Sequence, residues 1–164
     1  MNIFVLTYEG RVVVRPDTTW VRKYEDFYVP DFVDSLSVSD VVCAKVSRPG
    51  KCISERFAER YFEQMGTGLL LCPESMLDGS EQAYAEALCI GHTSYIPVPE
   101  TSKEEFSDSE RAMIRKAFVA VSRMCIIRNG DFIAVETGAR TPLAKRADDK
   151  VEVHKGKDPF SIIF

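Results

Sequence analysis

Residues 41–71, VVCAKVSRPGKCISERFAERYFEQMGTGLLL, read as strand, turn, helix and strand. Residues 41–46 are an apolar run rich in β-branched side chains. Arg48-Pro49-Gly50-Lys51 is a turn in which proline fixes φ and glycine relaxes it. Ser54 is placed to cap a helix with Glu55 in its first turn, and Phe57, Ala58, Tyr61, Phe62 and Met65 recur at helical spacing. Gly66 and Gly68 are expected to end that helix. Leu69-Leu70-Leu71 then forms a strand buried on both faces, closed by Cys72-Pro73.

On either side of this stretch the pattern stays mixed α and β. Residues 2–7 and 11–15 are two short strands around Tyr8-Glu9-Gly10, a tight hairpin. Residues 80–88 are rich in helix formers after the Asp78-Gly79 break. Residues 94–98 read as a strand and residues 100–106 as a polar linker. Ser107 and Glu110 make a capping box for a second helix, whose face is set by Met113, Ala117, Val121 and Met124 and widened by Ile114 and Phe118. Asn129-Gly130 is a turn before the alternating strand 131–135, and residues 150–153 and 160–164 close the sheet.

With 164 residues, 45% of them hydrophobic, the chain suits one domain spanning 1–164 with an adequate core. A net charge of −4 with no basic cluster argues against nucleic acid, whose phosphates demand Lys and Arg. Residues 2–6 are too short for a signal sequence and no later run approaches a membrane span, so no membrane partner and a cytoplasmic location are expected. Five cysteines, an odd number without a Cys-x-x-Cys pair, suggest reduced thiols.

Several motifs, taken in order, resemble the fumarylacetoacetate hydrolase family in its short bacterial hydrolase/isomerase form. Arg15-Pro16-Asp17-Thr18 is similar to that family's Lys-Pro-Asp-Thr loop, residues 27–32 (FYVPDF) to the segment before its metal strand, and residues 50–68 to its Gly-Lys-x-Ile-x-x-x-Phe-Ala helix. Val121-Ser122-Arg123 with Gly130-Asp131-Phe132-Ile133 is similar to its Ser-(Lys/Arg)…Gly-Asp-x-Ile signature, and residues 149–153 to its closing strand. The resemblance covers almost the whole chain. It implies an α+β domain with a mixed β-roll, a homodimer, and a pocket for a small-molecule ligand.

The residues that would carry the family's chemistry differ here. Family members hold Mg²⁺ or Mn²⁺ with a Glu-x-Glu and a later Asp, and those positions fall on Ser39, Val41 and Leu70, which cannot supply the oxygen ligands such cations need. No metal or other cofactor is therefore expected. The family's next Arg falls on Glu74, its substrate lysine lies where residues 88–92 carry none, and of its Gly-Thr-Pro only Thr137 remains. About twenty residues of a lid bearing a His and Glu acid/base pair are missing before Arg15, with Tyr8 and Glu9 as the only remnants. Strand alternation turns Asp40 away from the pocket, and Asp17, Glu74 and Glu136 read as solvated surface or turn acids.

Three functions follow in order of preference. The first is a non-catalytic binding or scaffold protein. The second is a metal-dependent hydrolase or isomerase acting on β-diketo or oxo acids. The third is an enzyme with Cys72 as nucleophile and His92 as its base, set against Cys72, like Cys43, Cys52, Cys89 and Cys125, being a small apolar core group. His154, after the alternating Val151 and Val153, is expected to face solvent.

Overall fold

The computed structural model describes residues 1–155 and 158–164. Its strands and helices, in chain order, are β1 (Asn2–Leu6), β2 (Val12–Pro16), β3 (Trp20–Val21), β4 (Phe27–Tyr28), β5 (Ser35–Lys45), β6 (Gln64–Pro73), α1 (Glu81–Leu88), β7 (Ser94–Tyr95), β8 (Thr101–Ser102), α2 (Asp108–Met124), β9 (Phe132–Glu136), β10 (Thr141–Lys145), β11 (Lys150–Val153) and β12 (Phe160–Ile163). One mixed sheet runs β2-β1-β9-β5-β6-β7-β3, with β10 added to β5 and β8 to β6, and a smaller sheet runs β11-β12-β4. This is the α+β β-roll the sequence predicts.

The hairpin of β1 and β2 pairs Ile3 with Arg15 and Val5 with Val13, and Gly10 supplies the positive φ its turn requires. Strand β5 is the spine. It pairs with β6 from Leu36 to Ala44, and its other edge is shared by β9 and β10. Being bonded on both edges and covered on both faces, it buries most of its residues, as does β9 between β1 and β5. The alternation expected for residues 131–135 is therefore absent.

The helix expected after Ser54 is a 3-10 segment, Glu55–Tyr61, and Gly66 and Gly68 lie inside β6 rather than ending a helix. Sheet pairing outweighs helical spacing: Met65 faces Ala44 and Gly66 faces Cys43 across the β5–β6 ladder. Phe62 and Met65 are buried, whereas Phe57 stays at the surface between the guanidiniums of Arg56 and Arg60. At Gly68 a Cβ would collide with the carbonyl oxygen of Tyr95, where β7 pairs with β6. Gly68→Ala is expected to destabilise the fold by about 1–3 kcal/mol, the usual overpacking cost, read as a lowered urea midpoint.

Ser107 and Glu110 form the predicted capping box of α2. The buried face of that helix is Ile114, Ala117, Phe118 and Val121; Met113 is half-buried and Met124 exposed. The stripe is rotated from the expected one because it must meet Phe4, Val42, Ala44 and Ile133 on the sheet. Residues 94–98 contribute only the two-residue β7, and the linker 100–106 holds β8 and a 3-10 turn. Strand β10 corresponds to no strand expected from the sequence.

The large sheet curls, so that Arg15 on edge strand β2 reaches β6 and the residues at β7 near the opposite edge. Ile3, Val5, Val41, Cys43, Leu70, Ile96, Phe132 and Ala134 fill the concave side. A separate apolar layer, including Leu36, Leu69, Tyr95, Phe160 and Ile162, joins the two sheets. No helix among the described residues is long and apolar enough to cross a membrane.

Candidate functional site

Residues opposite one another in an antiparallel ladder project to the same face. Ser39 is opposite Leu70, Ser37 opposite Cys72, and Val41 opposite both Gly68 and Glu136. The fold thus brings Ser39, Val41 and Leu70 together on the concave side. Val41 and Leu70 are each 1% exposed, in a cluster that also holds Ile96, Phe132 and the packed ring of Trp20.

This donor set does not fit a divalent cation. The nearest carboxylate, Glu136, is already engaged: Oε1 accepts from Ser39 Oγ at 2.8 Å and lies 3.7 Å from Arg140 Nε, while Oε2 accepts from the Tyr8 backbone N–H at 3.0 Å. A cation bound there would sit beside a guanidinium and have two hydrocarbon side chains where oxygens are required. Among the described residues no group of three His, Cys, Asp or Glu side chains is arranged to hold a metal ion.

Glu136 is not the solvated acid expected from the sequence. It is 5% exposed and belongs to a buried polar network that closes one end of the roll. Arg140 follows it by four residues and donates from one terminal nitrogen to Cys72 Sγ (3.1 Å) and from the other to the Tyr84 hydroxyl (2.9 Å). Arg15, behind them, donates to the carbonyl of Leu71 at 2.9 Å and to Thr93 and Ser94, all uncharged acceptors, and its Nε has no partner among the described residues. Burial pulls the pKa of Arg15 below the ordinary arginine value without removing its charge.

The remaining sequence candidates are scattered. Glu74, at the end of β6, is exposed and accepts from Ser37 Oγ at 2.6 Å. Thr137 is exposed, and both its N–H and its hydroxyl donate to the Asp40 carbonyl, fastening the end of β9 to β5. The Asp40 carboxylate points to the opposite side, as alternation requires, and pairs with Lys155 Nζ at 2.8 Å. Asp17 is exposed in a 3-10 turn, and His154 faces solvent.

Cys72 and His92 do not form a dyad. Cys72 is buried with its sulfur turned to Arg140, and no hydrogen bond among the described residues joins it to His92, which is exposed in a left-handed turn conformation. Burial pushes the Cys72 thiol up; the guanidiniums of Arg140 and Arg15 act in the other direction and do not overcome it. Cys43 is buried too, its thiol pushed up by desolvation to about 12. Cys52 and Cys89 are exposed and Cys125 half-buried, so these three are not the core groups the sequence suggested.

Arg140 opens onto a cleft of about 570 Å³ whose walls include Ser37, Glu74, Leu143, Lys145 and Asp148. Neither Arg140 nor Tyr84 stands out in the sequence. Arg15 does, as the basic residue before Pro16-Asp17-Thr18, but its role is visible only after the sheet has curled.

The fold is that of the fumarylacetoacetate hydrolase family. No family model and no curated relative matches the sequence. Among solved structures, a Yersinia pestis protein assigned to that family superposes with a TM-score of 0.79 at 18% identity, over 99% of this chain and 92% of that one. Fumarylpyruvate hydrolase from Pseudomonas aeruginosa, solved with Mn²⁺ and pyruvate, gives 0.72 at 10% identity over 99% and 88%. A 5-carboxymethyl-2-hydroxymuconate delta-isomerase from Mycobacterium smegmatis gives 0.70 at 11% identity over 99% and 77%.

Proposed function

We propose that this chain is a non-catalytic small-molecule binding protein on a hydrolase/isomerase fold, in which an internal ion pair stands where family members hold a metal. The observation that carries this reading is Leu70. At 1% exposure, among Val41, Ile96 and Phe132, it occupies with hydrocarbon the position from which a carboxylate would reach the cation. The buried acid beside it, Glu136, is committed to Ser39 and Arg140. The proposal includes the homodimer that the family resemblance implies.

The competing reading, a metal-dependent hydrolase or isomerase of oxo acids, draws on the activities by which the structural neighbours are named, one of which binds Mn²⁺. Elemental analysis after incubation with Mn²⁺ and desalting separates the two. The expected result is no stoichiometric metal and no hydrolysis of an acylpyruvate, with a dimer mass by light scattering on the same sample. One Mn²⁺ per chain together with turnover would establish the enzyme instead, and a monomer mass would remove the dimer from the proposal.

A further inference from the structure

The buried network is unbalanced in charge. Arg15 is buried and Arg140 half-buried, against a single buried carboxylate in the network, Glu136. Cys72 does not supply the second anion, since burial keeps its thiol protonated at neutral pH. No carboxylate among the described residues lies within ion-pair distance of Arg15. A guanidinium has five N–H donors, and among the described residues Arg140 gives only two of them to hydrogen bonds, both to uncharged acceptors. Two guanidiniums sharing one carboxylate leave part of their positive charge uncompensated, and an anion reaching Arg140 through the cleft would offset it.

The walls of the cleft narrow the choice of anion. Away from Arg140 they carry Glu74, Asp148 and Lys145, a net negative charge that opposes a second carboxylate. Pro142, Leu143 and Ala144 offer an apolar surface for a short hydrocarbon chain. We infer that the cleft binds a short-chain monocarboxylate, its carboxylate on Arg140 and its chain along Pro142 and Leu143, without any metal. This rests on the reading of the protein as a metal-free binder, and it gives that binder a ligand class.

Titration of the ¹⁵N-labelled protein with butyrate in EDTA tests it. Butyrate is expected to shift the Arg140 Nε and Leu143 amide resonances, with butyramide producing neither shift and succinate binding several-fold more weakly. Arg140→Gln is expected to weaken butyrate binding by roughly tenfold or more, the usual consequence of losing a hydrogen bond to a charged group. Equal shifts with butyramide, or no shift with butyrate at high millimolar concentration, would overturn the inference. The wild-type titration decides alone should Arg140→Gln fail to fold, since Arg140 also braces Cys72 and Tyr84. Binding that appears only when Mn²⁺ replaces EDTA would overturn the metal-free reading. No binding with or without Mn²⁺ would overturn the ligand assignment and leave that reading standing.

Discussion

Leu70→Ala is expected to lower the unfolding free energy by roughly 2–5 kcal/mol, the range for a large-to-small change in a packed interior. The upper half is favoured because the surroundings cannot collapse into the space. Leu70 lies on β6 between register partners Ser39 on β5 and Ser94 on β7, so its backbone is held from both sides. Trp20, which packs against this cluster, is fixed by a 2.7 Å hydrogen bond from its indole N–H to the Ile96 carbonyl and by contact with the Phe132 ring, 5.0 Å between centroids. Urea unfolding should show a lower midpoint with an unchanged m-value. A midpoint equal to wild type would mean that Leu70 borders open space, and the argument against a metal centre would lose its main support.

That argument begins in the sequence, because the apolar core of β5 and the leucines of β6 are marked by local pattern. Counting from Gly50-Lys51 and Gly68 along the motifs of the family the chain resembles puts Ser39, Val41 and Leu70 at the ligand positions, and the ladder brings the three together. The Gly10 hairpin, the Ser107 capping box and the closing strands β11 and β12 are legible for the same reason: each is specified by neighbours within a few residues. Where non-local contacts decide, local pattern misleads. Residues 55–65 carry helical spacing, yet the pairing of Gln64–Pro73 with β5 draws Met65 into a strand. Strand β10 contains Pro142 and is mostly exposed, so only its partner β5 makes it a strand. The polar network is illegible for a related reason. Arg15 comes from a segment far from Glu136 and Arg140 and meets them because the sheet curls, and charged side chains in isolation are expected at the surface.

Ser39→Glu, Val41→Glu and Leu70→Asp introduced together are expected to give a protein that is strongly destabilised without metal, partly rescued by Mn²⁺, and inactive. Three new carboxylates would face one another and Glu136 on the concave side, where burial penalises each charge and only Arg15 and Arg140 stand by as cations. A hard dication can offset part of that penalty because the three positions converge. Binding to the folded state alone raises stability by mass action, so the melting temperature should climb with added Mn²⁺ and fall back with EDTA. Turnover needs more than polarisation of the substrate. A positioned acid/base group contributes typically about 10²–10⁴-fold, and on the reading proposed above the segment that would carry it is missing where a turn joins β1 and β2. That turn is closed by hydrogen bonds between Thr7 and Arg11 and from Gly10 to Thr7, and so short a connection cannot extend over a substrate to exclude water. Hydrolysis of an acylpyruvate by the Mn²⁺-loaded triple variant should therefore not exceed that by Mn²⁺ alone. Turnover well above that background would place a proton-transfer group elsewhere in the chain and would overturn the reading of a missing lid segment.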